Sequence, residues 1–177
     1  MQKGFGNSPR VHSSGGTQPP HDARPAVQNA APLQVSYFDN GRIRPALFRG
    51  EAEKHAQRLM PVDPTQLRRF FNAVERLRRR LPRAVGGGVQ DRPTDQNRFG
   101  PEELKAELAL LEVRARYAAA RDKKHQPLAE FIAANVRAVE GDKDPVRAFR
   151  HGFRPHFEAV VGLHAALRRA GSHEEGV

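Results

Sequence analysis

Apolar residues recur with helical spacing along most of the chain after residue 37. The clearest segment begins at Asp63-Pro64, because Asp is a favoured helix N-cap and Pro suits the first helical position. Gln66 stands at the third helical position, so the start resembles a capping box. The apolar residues that follow share one helix face: Leu67, Phe70, Phe71, Val74, Leu77 and Leu81. The pattern predicts a helix over 63–82 that ends at Pro82.

The same periodicity predicts four further helical segments. Between Pro45 and Pro61, after an Asp-Asn-Gly turn at 39–41, the apolar stripe is Leu47, Phe48, Ala52, Ala56 and Leu59. From Pro101 to about Lys124 it is Leu104, Leu108, Leu111, Ala115 and Ala118. From Pro127 to Gly141 it is Leu128, Phe131, Ile132, Val136 and Val139. The last begins at Asp144-Pro145 and carries Val146, Phe149, Phe153, Phe157, Val160, Val161, His164 and Leu167. We expect Gly152 and Pro155 to kink or split this segment.

No segment alternates with period two over a useful length, and β-branched residues are sparse. The sequence therefore predicts an all-α bundle of about five helices over 35–170. Residues 1–34 are rich in Gly, Pro, Ser, Asn and Gln, and we expect a disordered tail there, with a flexible RNA-binding arm as the alternative. Residues 171–177 are expected to be disordered too. The Gly-rich stretch 84–100 reads as a flexible linker, because no Gly-Lys-Ser/Thr follows its glycines.

The composition narrows the class of protein. There are 30 Lys and Arg against 20 Asp and Glu, a formal net charge of +10. This excess favours a polyanionic partner, nucleic acid first and an anionic membrane second. The absence of Cys excludes disulfides, thiolate metal sites and a thiol nucleophile. With no membrane-length apolar run and no secretory signal, the expected location is the cytoplasm.

The arginines of helix 63–82 are not spread evenly around it. Arg69, Arg76 and Arg80 fall in one row on the face opposite the apolar stripe. Such a row suits phosphate oxygens, which guanidinium groups bind in pairs of hydrogen bonds; a solvated helix face is the alternative. Arg78 projects into the apolar face, so it must reach out along the helix end or meet a partner.

A second candidate row lies on helix 101–124. Arg114, Tyr117 and Arg121 occupy a shoulder beside its apolar stripe, and Lys123-Lys124 follows at the helix end. One interpretation is a backbone-binding patch whose Tyr stacks on or hydrogen bonds to a nucleotide. The other is a Tyr packed against a neighbouring helix, with the cations stabilising the helix C-terminus.

No catalytic or metal-binding constellation is indicated. His151, His156 and His164 come closest to a cluster, but they lack the i, i+4 spacing that places two ligands on one helix face. His164 lies on an apolar face, which favours a core or interface role. The sequence therefore predicts no enzyme, no metal and no cofactor.

Four segments, in this order, resemble the small helical subunit of type III-A CRISPR–Cas effector complexes, the Csm small subunit. They are YFDNGRIRPALFRGEAEKHAQRL, PTQLRRFFNAVERL, ELALLEVRARYAAAR and FRHGFRPHFEAVVGLHAAL. The resemblance covers about Tyr37 to Leu167. It departs from the family in the long 84–100 loop, the N-terminal tail, Pro155 and the stretch Gly162-Leu163-His164.

The resemblance implies a non-catalytic protein of antiviral defence that binds guide RNA and target RNA. Its partners would be the large subunit, the backbone subunits and further copies of itself, with no membrane. Arg68, Arg69 and Arg121 correspond to basic residues of the family. Helix geometry and local charge add Arg76, Arg78, Arg80, Lys123 and Lys124. The alternatives are a helical protein–protein interaction module, another non-specific nucleic-acid-binding bundle, and an anionic-membrane binder.

Overall fold

A computed structural model describes residues 33–82 and 99–174, with side chains as far as 171, and confirms the all-α fold. The helices are α1 (Gly50–Arg58), α2 (Pro64–Arg80), α3 (Pro101–Arg121), α4 (Gln126–Glu140), α5 (Pro145–Arg147) and α6 (Arg154–Glu174). Short 3-10 helices cover Pro45–Phe48 and Lys123–His125, and a π-helix covers Ala148–Phe153. A hairpin of two short strands, β1 (Phe38–Asp39) and β2 (Arg42–Ile43), precedes the helices.

The hairpin turns at the predicted Asp-Asn-Gly site. Asn40 and Gly41 both have positive φ angles, 48° and 74°, as two-residue hairpin turns require. Phe38 pairs with Ile43 and Asp39 with Arg42. These strands are too short for alternating hydrophobicity to reveal them.

Helices α2 and α5 begin at the N-caps that the sequence predicts, Asp63 and Asp144. The Asp63 carboxylate accepts hydrogen bonds from the backbone N–H groups of Thr65 and Gln66, at 2.7 and 3.4 Å. These bonds satisfy amides that have no partner inside the helix. The Asp144 carboxylate does the same for the Arg147 N–H at 2.9 Å. The first helical segment differs from expectation, because a 3-10 turn over Pro45–Phe48 precedes α1.

The core lies between α6 and the helices around it. α1 and α2 both pack against α6, whereas α3 packs chiefly against α4. Four fully buried phenylalanines fill the centre: Phe131, Phe149, Phe153 and Phe157. The rings of Phe153 and Phe157 stack with their centres 5.9 Å apart. The apolar residues predicted for helix α4 are all buried.

The expected irregularity at Gly152 and Pro155 takes the form of a wider helical turn. The π-helix Ala148–Phe153 leads directly into α6, just before Pro155. Because Pro155 has no N–H to donate, a shift of the bonding pattern before it relieves the backbone. Position 152 requires glycine for a separate reason, because a Cβ atom there would overlap the Tyr37 ring.

The chain ends differ in part from the predicted boundaries. α6 continues across Gly171 to Glu174, past residue 170, where we expected the helical domain to end. The predicted tail 1–34 and linker 84–100 lie almost wholly outside the described residues and stay predictions. Within 33–82 and 99–174, no helix is long and apolar enough to cross a membrane.

Candidate nucleic-acid interface

An open cleft separates α2 from α3. The cleft encloses about 790 Å³ and has a partly apolar floor that includes Phe70, Ala73, Leu111 and Ala118. It forms because α2 is held against α6 and α3 against α4, so the two helices meet over only a short stretch. We call it the α2–α3 cleft.

The α2–α3 cleft brings together the two basic rows that the sequence placed on separate helices. Arg69 and Arg76 line it from α2, and Arg114 and Arg121 line it from α3. Among the described residues, Arg69, Arg76 and Arg114 have no carboxylate within ion-pair distance. The cleft is therefore positive, and its guanidinium groups are available to an anionic ligand.

At one end, the α2–α3 cleft continues into a smaller cavity of about 150 Å³ that reaches Arg80 and Glu107. Arg80 forms an ion pair with Glu107. Its guanidinium also lies over the ring of Phe99, 4.2 Å from the ring centre. Arg80 is thus engaged within the protein, unlike Arg76 one turn earlier.

The other end holds Asp122 and His125. Lys124 donates to the Asp122 carboxylate at 2.9 Å, and this hydrogen bond lowers the pKa of Asp122 and raises that of Lys124. The only acidic group lining the main cleft is therefore neutralised, so far as the described residues show. The covered Nδ1 atom of His125 has no hydrogen-bond partner among them.

Tyr117 stands open on the α3 side of the cleft, with 65% of its surface exposed. The guanidinium of Arg121 lies 5.9 Å from the centre of its ring. The alternative in which Tyr117 packs against a neighbouring helix is therefore wrong. The ring lies outside the core, because α3 packs chiefly against α4 and meets α2 over only a short stretch.

The predicted site residues fall into three groups. Arg69, Arg76 and Arg121 line the cleft. Arg78, Arg80 and Lys124 form ion pairs within the chain, with Glu75, Glu107 and Asp122. Arg68 and Lys123 are exposed and do not line the cleft.

The predicted set did not include Arg114 or Gln66, which also line the cleft. The Arg114-Tyr117-Arg121 spacing was the pattern that indicated Arg114.

Arg78 meets a partner, which is one of the two outcomes expected for it. Its Nε donates to Glu75 at 3.0 Å, and Glu75 also binds Arg154 of α6. Burial alone would raise the pKa of Glu75, but the hydrogen bonds from Arg154 and Arg78 outweigh it and lower that pKa. The contact between Glu75 and Arg154 ties α2 to α6.

Away from the cleft, the buried histidine pair, His55 and His156, joins α1 to α6. The Nδ1–H of His156 donates to the Leu47 carbonyl at 2.7 Å, so its Nε2 accepts from His55 Nδ1 at 2.9 Å. Burial lowers the pKa of His55 to about 4 and also lowers that of His156.

His164, as predicted, is a buried core residue, and burial lowers its pKa. No three metal-ligating side chains come together in the described part of the chain.

The fold and the cleft define a basic, all-helical protein with an arginine-lined cleft between two helices. The chain belongs to the Csm2 Type III-A family, whose model matches residues 44–169. It is therefore a subunit of a type III-A CRISPR Csm complex, and the resemblance seen in the sequence is confirmed. Comparisons with curated proteins and with solved structures found no match.

Proposed function

We propose that this subunit binds RNA without catalysing a reaction, and that it holds the backbone of the guide RNA–target RNA pair in antiviral defence. The observation that carries the proposal is the convergence of Arg69 and Arg76 with Arg114 and Arg121 on one cleft. Arginine rows without carboxylate partners bind phosphate oxygens through charge-assisted hydrogen bonds. The family match supports a place in the Csm complex. We also propose that the protein is located in the cytoplasm.

Sequence readout is not needed in this role. Pairing between guide and target selects the sequence, so the protein has only to hold sugar and phosphate groups. The proposed partners are guide RNA, target RNA, the large subunit, the backbone subunits and further copies of this chain.

The structure supports a ranking among the eight predicted RNA-binding residues. We expect Arg69, Arg76 and Arg121 to contribute most, together with Arg114, because they line the cleft. The residues with ion pairs inside the chain must give up or share a partner to bind phosphate: Arg78, Arg80 and Lys124. Arg68 and Lys123 would bind RNA only where it leaves the cleft.

The double variant Arg69→Ala/Arg76→Ala tests the proposal. RNA affinity should fall, and the slope of log affinity against log salt should flatten by about one to two units, because each lost phosphate contact removes about 0.7–0.9. The matched control is Arg42→Ala/Arg49→Ala, which removes two exposed charges outside the cleft. A filter-binding series across salt concentrations with the full-length protein measures both. Equal losses in the two variants would contradict the cleft as the binding surface.

One observation favours a second function, the helical protein–protein interaction module. Leu110 and Val113 are apolar residues of α3 that are 51% and 61% exposed. If this were the main role, Leu110→Glu would abolish co-purification with the other subunits, while the double arginine variant would bind RNA normally.

A further inference from the structure

The two tyrosines of this chain have opposite environments. Tyr37 is 3% exposed, and its hydroxyl donates to the carbonyl and side-chain oxygens of Asn135 at 3.1 and 3.0 Å. Tyr117 is 65% exposed, and no hydrogen bond holds it within the described residues. Tyr37 is therefore a core residue, whereas packing does not account for Tyr117.

The surroundings of Tyr117 combine an aromatic face, apolar surface and cations. Val113 precedes it on the same side of α3, and the cleft floor beside it includes Phe70 and Ala118. Arg121 lies within cation–π distance of the ring, and Arg69 lines the α2 wall of the same cleft. Phosphate binding alone requires neither the ring nor the apolar floor. An exposed aromatic between arginines is instead the arrangement that stacks an unpaired base and holds its phosphates.

Duplex RNA cannot stack one of its paired bases on Tyr117. Its bases are stacked inside the helix, and its deep, narrow major groove keeps side chains from them. An unpaired nucleotide can enter, because the cleft volume of about 790 Å³ lies within the roughly 300–1,000 Å³ typical of small-ligand sites.

We propose that the α2–α3 cleft takes an unpaired nucleotide, whose base stacks on Tyr117 and whose phosphates lie against the arginines of the two walls. This inference rests on the proposed RNA-binding function and refines it. The protein holds RNA more tightly where a base is displaced from the guide–target duplex, or where the RNA is single-stranded, than along a continuous duplex.

The composition of the chain allows a direct spectroscopic test. There is no Trp, and there are two Tyr, so in a Tyr37→Phe variant all tyrosine emission comes from Tyr117. Full-length protein is titrated with a single-stranded RNA oligonucleotide and with a blunt RNA duplex of equal phosphate number, correcting for RNA absorbance. Quenching by the single strand and little quenching by the duplex is expected. Equal quenching by both, or none by either, would overturn the inference.

Affinity measurements separate stacking from charge. Tyr117→Ala should weaken single-strand binding about tenfold and leave duplex binding nearly unchanged, since one stacked base contributes roughly 1–3 kcal/mol. Tyr117→Phe should keep the affinity, because the ring and not the hydroxyl is used. Leu110→Ala, an exposed apolar position of α3 that does not line the cleft, is the matched control and should have no effect.

The outcomes distinguish this inference from the proposed function. If Tyr117→Ala weakens both RNAs equally, or neither, base stacking is wrong while the backbone-binding role stands on the arginine variants. If Arg69→Ala/Arg76→Ala binds both RNAs as well as the unchanged protein does, the proposed function itself fails. Circular dichroism of each variant checks that the helical fold is kept.

Discussion

The buried histidine pair and the α2–α3 cleft differ in whether their polar side chains have partners within the protein. His55 and His156 are joined by a hydrogen bond inside the protein, and His156 also donates to the Leu47 carbonyl. In the cleft, Arg69, Arg76 and Arg114 line a large opening without a carboxylate partner in the described ranges. Satisfied polar groups in a core hold the architecture together, whereas converging unpaired cations indicate a surface that a ligand completes.

The two regions also differ in what packs against them. The histidine pair contacts Phe131, whose ring centre is 5.4 Å from that of His55 and 5.7 Å from that of His156. In the part of the chain that the structure describes, nothing covers Tyr117 in the same way, and 65% of its surface is exposed. We therefore expect changes near the histidine pair to alter the free energy of unfolding, and changes in the cleft to alter RNA binding.

The largest expected effect is acid destabilisation through His55. Burial lowers its pKa from the usual 6.5 to about 4, so the unfolded chain takes up a proton first as the pH falls. Stability present above about pH 6.5 is lost progressively down to about pH 4, by about 3 kcal/mol from this residue alone. Urea unfolding at several pH values measures the loss.

The variant His55→Gln should flatten this pH dependence, because the amide can still donate to His156 but does not titrate. The exposed His151 offers a control for the substitution itself: His151→Gln should leave the free energy of unfolding at neutral pH nearly unchanged. An unaltered pH profile in His55→Gln would break the assignment of the acid effect to the pair.

A smaller effect, about 2 kcal/mol of destabilisation, is expected for Gly152→Ala, because the added Cβ overlaps the Tyr37 ring in a packed interior. Gly162→Ala is the matched change in the same helical region, where a Cβ meets nothing within 4 Å. It should be neutral or stabilise by up to about 1 kcal/mol. Thermal unfolding of the two variants compares them, and similar melting temperatures would contradict the close approach of Tyr37.

The N-cap of α2 should contribute about 1 kcal/mol. Asp63→Ala removes the carboxylate that accepts from Thr65 and Gln66 and should cost that amount in urea unfolding. Asp63→Asn retains a capping oxygen and should cost less. If the two variants were equally destabilised, loss of the cap would not be the cause.

The smallest effect on stability, within about 0.5 kcal/mol, is expected for Arg114→Ala, because this exposed side chain has no ion pair within the described residues. Its RNA affinity should nevertheless fall severalfold. If Arg114→Ala lost stability but kept its RNA affinity, the expectation that cleft residues serve RNA binding and not stability would be contradicted. Arg116→Ala is the control, since Arg116 is also exposed on α3 but pairs with Glu112 and does not line the cleft.

Much of the local structure follows from the sequence because it depends on neighbours along the chain. Asp63-Pro64 and Asp144-Pro145 predicted helix starts, since a cap bonds to amides within three residues. The spacing of Leu128 to Val139 predicted the buried face of α4. Arg78 was predicted either to reach out along the helix end or to meet a partner, and it pairs with Glu75, only one turn away. The π-helix was not predicted in its details, because Gly152 and Pro155 indicate an irregularity without specifying its form.

The sequence by itself determined an all-helical fold and the separate arginine rows, because periodicity, caps and charge are local properties. The resemblance to the Csm small subunit rested on four sequence segments in order. The tertiary structure decided that the two rows share one cleft and that Tyr117 stands open within it. It also joined His55 to His156, 101 positions apart. The cleft depends on α2 and α3 packing against different partners, α6 and α4, and the histidine contact depends on α1 packing against α6. No local pattern encodes either arrangement.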